Sequence, residues 1–323
     1  LKTRINKESS SLRVFKQYGT LIIFILLCVF LSIKSDEFLT LHNLTSTMRS
    51  LSMLAIVTVG LTFCVITREF DLSFGYISGF SGLLTAGALQ SGYGALTAVL
   101  IGLLVGVLIG AVNGLIVSNL KINSFIATLA TGYLVKGITY LYSKGSLIYI
   151  DRFTQANFLF IGQGYLVHIP FPIVILVVVL LVSYLVLYKT IIGRSMYAIG
   201  GNPLTSFLSG INVKSYKRIV FIVSGFLAAL AGIIAIARVS VGHPAQGQEF
   251  TMDAFAAVFI GLMSRRGEAN LLGSFLGVLI IAILNNGLTL LSVSFFYQEI
   301  IKGCIILLAV AANSVNISKE QNG

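Results

Sequence analysis

Charge is scarce in this chain. Only 10% of its 323 residues are Asp, Glu, Lys or Arg, while 56% are hydrophobic, a balance outside that of soluble globular domains. Phosphate-binding chemistry is missing as well. No G-x-x-x-x-G-K-[ST] segment occurs, nor even one Gly-Lys dipeptide, so the chain has no P-loop nucleotide site of its own. Cys28, Cys64 and Cys304 fall singly inside apolar runs without any C-x-x-C, and they read as packing residues. His42, His168 and His243 stand apart at expected membrane borders. With no H-E-x-x-H or i,i+4 partner they read as interfacial residues, and no metal site is expected. The "GFSG" at 79–82 lacks the G-x-S-x-G spacing of a nucleophile elbow. Nothing is left on which to build an enzyme.

What the chain has in abundance is apolar runs. A bilayer core takes roughly 20 apolar residues per helical span. The pattern predicts an all-α polytopic membrane protein with about ten transmembrane helices, near 19–34, 50–67, 72–90, 95–118, 122–142, 168–188, 216–237, 251–263, 271–291 and 296–313. The run at 251–263 is short for a span and is expected to tilt or to begin earlier. No small-x-small site follows the first run, which therefore reads as a span and not as a cleaved leader. The net charge is +11. With the amino end inside, fifteen of the 22 Lys and Arg fall in cytoplasmic segments and five outside, with Lys136 and Lys302 within spans. That bias follows the positive-inside rule and points to lipid, not nucleic acid, as the neighbour. Both ends are then cytoplasmic: a tail at 1–18, one transmembrane domain at 19–313, and a tail at 314–323. The loop at 189–215 is the largest internal cytoplasmic one.

Two passages echo each other. "FDLSFGYISGFSGLL" followed by "GAVNGLIVSNL" resembles "TMDAFAAVFIGLM" followed by "GSFLGVLIIAILNNGLTLLSV", which aligns Asp71 with Asp253 and Asn113 with Asn286. The first copy starts inside and the second outside, the arrangement of an inverted repeat. Asp71 and Asp253 read as helix N-caps, where a carboxylate meets orphan N–H groups and the positive dipole end. The alternative makes Asp71, Asp253 or Glu299 a coupling carboxylate. Gly102, Gly106, Gly110 and Gly114 recur every four residues and mark a face for close helix packing, or one along which helices slide. In the basic loop, Leu204, Phe207, Leu208 and Ile211 keep i, i+3, i+4, i+7 spacing. That stripe suits either a groove in a partner or the lipid surface.

The combination resembles the permease subunit of bacterial ABC sugar importers, the branched ABC-permease family that includes ribose permeases. The segments that carry the likeness are "VITREFDLSFGYISGFSG", "NGLIVSNLKINSFIATLAT", "GRSMYAIGGNPLTSFLSGINV" and "LNNGLTLLSVSFFYQEIIKGCIILLAV". Together they extend it over about residues 38–310. The family's Gly-rich turn after the eighth span departs here to "GLMSRRGEANLLG", with Arg265, Arg266 and Glu268 in place of small residues beside Gly267. The resemblance implies a bacterial inner-membrane protein that pairs with a second copy or a paralogous permease. It implies an external solute-binding protein docked on the loops at 143–167 and 239–250. Separate ATPase subunits bind the ATP and magnesium, so no cofactor is expected in this chain. It implies further that the basic loop is the ATPase-coupling element. In that element Gly193 and Arg194 lead in, Gly200, Gly201 and Asn202 form the turn, and residues 204–211, including Gly210, form a docking helix. A monosaccharide such as ribose is the implied cargo.

Candidates for the solute pathway are Asn113, Phe125, Thr128, Asn285 and Asn286, because a polar solute needs amides, hydroxyls and an aromatic face near the repeat axis. An ion-coupled secondary transporter using one of the three carboxylates, and a non-transporting membrane scaffold, are the competing readings.

Overall fold

A computed structural model describes residues 10–152, 155–263 and 268–321. Arg265, Arg266 and Gly267 of the altered turn, and residues 1–9 of the amino-terminal tail, lie outside the described residues. The chain is helical almost throughout. Its long helices are α1 (Ser10–Lys34), α2 (Leu41–Ile66), α3 (Phe74–Gln90), α4 (Ala95–Asn119), α5 (Ser124–Ser143), α7 (Phe171–Lys189), α10 (Val213–Val239), α11 (Gln248–Met263), α12 (Leu271–Leu290) and α13 (Phe295–Gln321). Among the described residues, three short ones are α6 (Ala156–Gln163), α8 (Ile191–Gly201) and α9 (Pro203–Leu208). Each of the ten expected segments falls on a long helix. Among the described residues, α2, α4, α7, α10 and α12 are long and apolar enough to cross a membrane.

The expected boundaries shift in places. α2 begins at Leu41 rather than 50, with Thr40 as its N-cap. Its opening stretch is polar, but Thr45, Ser50 and Ser52 donate their hydroxyls to the carbonyls four residues back, so the helix absorbs them. α11 begins at Gln248, slightly earlier than 251.

α2 and α10 run antiparallel through the centre of the bundle. α10 packs on α3 and α4, while α2 packs on α11, α12 and α7. The two faces of α4 explain its place. Leu96, Leu100, Leu104 and Leu108 recur every four residues on the exposed side, as a lipid-facing ridge requires. The opposite side carries the glycine row. A Cβ on Gly106 would lie 2.5 Å from both Ala229 Cβ and Gly225 O of α10. One on Gly110 would strike Phe221 O, one on Gly114 would approach Arg218 Cα to 2.8 Å, and one on Gly102 would strike Thr85 of α3. The two backbones touch there, so dispersion contacts replace side-chain interdigitation.

At one end of the bundle the segments after α5 and α10 are stitched together. Strand β1 (Ile148–Tyr149) pairs antiparallel with β4 (Val241–Gly242), and β2 (Tyr165–Leu166) with β3 (Ile169–Pro170). These two-residue ladders add to the expected all-α architecture without altering its layers. Gln163 Nε2 donates to Ala237 O, Arg238 O and Ser240 Oγ. Arg49 donates to Gly162 O and Gln163 O, so α6 is strapped across the ends of α2 and α10.

Candidate functional sites at the two ends of the bundle

Opposite that stitched end lies the basic loop. α8 is not a lead-in to a turn, because it is itself a helix. Thr190 accepts the Gly193 N–H at its start, and Met196 and Ile199 are buried. Gly193 lies against the backbone of Leu187, and Gly200 lies so close to Ile66 O that a Cβ would collide with it. Gly200 and Gly201, expected in a turn, therefore form the last turn of α8, held against the end of α2. Asn202 makes the break. Its Oδ1 accepts the N–H groups of Leu204 and Thr205, both at 3.0 Å, with Pro203 at the first helical position, a placement its fixed φ favours.

α9 then ends at Leu208, three residues short of the expected Ile211. Gly210 at φ +85° turns the chain back, and the Ile211 N–H donates to Ser206 O at 3.0 Å, a helix-terminating arrangement. Ser206 is buried, whereas Leu204, Phe207 and Leu208 are 68%, 65% and 76% exposed. Arg194 is exposed too, and Ile211 is half-buried. A rigidly mounted short helix thus presents three large apolar side chains outward. Beside it, Lys217 of α10 pairs with Glu69.

The same half of the bundle holds a buried polar network. Ser73, the N-cap of α3, donates to Asp71 Oδ1 from its N–H at 2.8 Å and from its hydroxyl at 2.6 Å. Ser224 of α10 donates to Asp71 Oδ2 at 2.7 Å, and Asn113 Nδ2 of α4 donates to Ser73 Oγ at 2.7 Å. Thr128 Oγ1 accepts the Leu72 N–H at 2.9 Å and donates to Ser124 O at 2.7 Å. Asp71 stands two residues before the N-cap position, yet its carboxylate takes the Ser73 N–H at the start of α3, where the Ser73 side chain makes no cap bond of its own. Asn113 and Thr128 are fully buried and tie helices together. Phe125, 50% exposed on α5, joins neither group.

At the stitched end a cavity of about 430 Å³ opens among α2, α10, α11 and α12. Asn285 and Asn286 border it, with Thr47, Arg238, Gln246, Glu249 and Asp253. Asp253 lies inside α11, five residues past Gln248, and not at its start. Instead of capping, its carboxylate takes a hydrogen bond from Asn285 Nδ2 at 2.7 Å and faces Lys302 Nζ of α13 at 3.1 Å. Lys302 also donates to Glu299 at 2.9 Å. A buried ammonium needs counter-charge, which Asp253 of α11 and Glu299 of its own helix supply, while Asn285 of α12 holds the Asp253 carboxylate. Asn286 and Asn43 exchange amide hydrogen bonds at 2.7 and 3.1 Å. Of the five pathway candidates, only Asn285 and Asn286 meet at this cavity. Thr47, Gln246 and Glu249 were missed from the sequence. The signal for Thr47 was the helical spacing of Ser46, Thr47, Ser50, Met53 and Leu54, one face of a single helix.

Residues 43–310 match the family model described as branched-chain amino acid transport system / permease component. The chain is 40% identical over 298 residues to the ribose import permease protein RbsC of Bacillus subtilis (strain 168), covering 92% of each chain. It is 34% identical over 326 residues to the D-allose transport system permease protein AlsC of Escherichia coli (strain K12), covering 98% of this chain and 99% of the relative. The L-arabinose transport system permease protein AraH of the same strain is 34% identical over 299 residues, covering 92% and 90%. No solved structure matches the chain.

Proposed function

The chain belongs to the branched-chain amino acid transport permease family as a sugar-importer subunit, and on that premise we propose how it works. It crosses the bacterial inner membrane about ten times, with the tails at 1–18 and 314–323 in the cytoplasm. Two copies, or this chain and a paralogue, form the path for ribose or a similar small polar solute, with Phe125 facing the second copy. α9 is the lever on which a separate ATPase pushes. The observation that carries this reading is the exposed apolar triad Leu204, Phe207 and Leu208, held on a doubly capped helix. A groove in a partner fits such a stripe, and α8, seated on the end of α2, would pass motion into the core.

The inverted repeat has support in the packing. α10 lies on α3 and α4 as α2 lies on α11 and α12. Asp71 reaches Asn113 through Ser73, whereas Asn286, the residue aligned with Asn113, pairs with Asn43 and leaves Asp253 to its neighbour Asn285. Binding-protein docking belongs to the stitched loops 143–167 and 239–250, at the end away from α9. ATP and magnesium stay with the ATPase. The carboxylate-coupled alternative is weakened because Asp71 accepts three serine hydrogen bonds and Asp253 is ion-paired with Lys302 and held by Asn285.

Photo-crosslinking tests the reading. A photoreactive residue at Phe207 should capture the ATPase subunit, and one at Tyr165 the solute-binding protein. Capture of the ATPase from Tyr165, or of lipid alone from Phe207, would refute it.

A further inference from the structure

The cavity among α2, α10, α11 and α12 carries more acceptor capacity than the fold consumes. Thr47 Oγ1, Gln246 Oε1 and Asn285 Oδ1 all border it, are buried, and have no hydrogen-bond partner within the chain. Asp253 Oδ1 faces Lys302 but takes no directed hydrogen bond. Thr47 and Asp253 are only 8% and 6% exposed. Folded proteins leave few buried polar atoms unpaired, because each costs the desolvation of its group. Here three gather around one cavity, beside the ion-paired Asp253.

Several neighbouring donors, by contrast, are committed. Arg238 donates to the hydroxyls of Ser50 and Ser46 at 2.6 and 3.2 Å. The Asn285 amide is spent on Asp253, and those of Asn286 and Asn43 on each other. What the wall lacks is a molecule that brings several donors of its own. Two carboxylates, Glu249 and Asp253, repel an anion, and Arg238 with the Lys302 ammonium disfavours a cation. A neutral polyol meets both conditions and brings the donors. The volume of about 430 Å³ lies in the range of small-molecule sites.

We propose that this cavity is an aldose-binding site contained within a single chain, in which Thr47, Gln246 and Asn285 accept hydrogen bonds from sugar hydroxyls. Lys302 positions Asp253 to take a further one. The inference rests on the sugar-permease reading and adds that the permease itself discriminates between sugars, with one site in each copy. A site built around substrate hydroxyls rejects an analogue that lacks one, because its buried acceptor is then stranded.

The test uses the permease–ATPase complex in nanodiscs, with the binding protein omitted so that binding reports on the permease. Saturation-transfer NMR is recorded with D-ribose and with 2-deoxy-D-ribose. The unmodified complex should bind D-ribose and prefer it to the deoxy sugar. Asn285→Leu and Thr47→Val should each weaken D-ribose binding by roughly 5- to 140-fold, the loss expected for one stranded buried partner, and should flatten the preference. Leu96→Ala, on the lipid-facing side of α4, should change neither. The deoxy-sugar comparison on the unmodified complex stands even if a variant misfolds. Equal binding of the two sugars, as expected if water alone fills the cavity, would overturn the proposal, as would variants that bind like the parent. If the unmodified complex binds no D-ribose yet the full assembly with binding protein imports it, the site fails and the permease reading stands. Import of neither D-ribose, D-allose nor L-arabinose by that assembly would defeat the reading itself.

Discussion

Replacing Leu204, Phe207 and Leu208 together by Ala should uncouple this chain from its ATPase while leaving its fold unchanged. The side chains stand 65–76% outside the protein, so little internal packing is lost. Ala is the best helix former, and the Asn202 cap and Pro203 are untouched. Fully burying a Leu or Phe is worth about 1.5–3 kcal/mol. Scaled by the exposed fractions, each residue contributes about 1–2 kcal/mol on docking, and the three together about 3–6 kcal/mol. At 1.4 kcal/mol per tenfold, affinity should fall by about 10²- to 10⁴-fold. Surface plasmon resonance of ATPase over permease captured in nanodiscs reads this directly, with thermal unfolding as the control for folding. A triple variant that binds the ATPase within about threefold of the parent, against the tenfold-per-1.4 kcal/mol scale, would refute the reasoning. The stripe would then be resting on lipid.

Three other outcomes follow from the packing. Gly106→Leu should lower thermal stability in detergent by more than the about 1–3 kcal/mol usual for overpacking, because Gly225 O is already 2.5 Å from a Cβ there. Gly137→Ala, with nothing within 4 Å, should be neutral or slightly stabilising, and equal losses at the two sites would contradict the assigned helix contact. Lys302→Met strands Asp253 and should cost about 3–5 kcal/mol, as for other broken buried pairs. Adding Asp253→Asn should restore much of the loss, and a melting point that the second change leaves low would argue against the pair. Asn202→Ala removes a cap worth about 0.5–2 kcal/mol. It should speed amide hydrogen exchange at residues 204–208 without moving the global melting point.

The apolar runs were legible because a span must be apolar and helical to satisfy its backbone in lipid. What escaped was set by partners far along the chain. Asp253 looks like a cap from its neighbours in sequence, and only the fold brings Lys302 and Asn285 to it. Gly200-Gly201 reads as a turn by composition, yet those residues close α8 because Gly200 must fit beneath Ile66 O. The polar start of α2 hid its helix, since hydroxyls bonded to their own backbone do not register in hydropathy. The pairing of β1 with β4 joins segments about 90 residues apart through two residues each, too short a ladder for any period-2 pattern. Asn285 and Asn286 were accessible as candidates because amides are rare and conspicuous inside an apolar helix. Asn113 shared that signal but serves the Asp71 network instead.

The claim beneath all of this is that the chain guides solute but does no work on it. The decisive measurement is uptake of labelled D-ribose by proteoliposomes that contain the chain alone or the chain with its ATPase, binding protein and ATP. Accumulation above the external concentration should occur only in the complete assembly and should stop when ATP is withheld. Accumulation by the chain alone, driven by an imposed proton or sodium gradient, would contradict it.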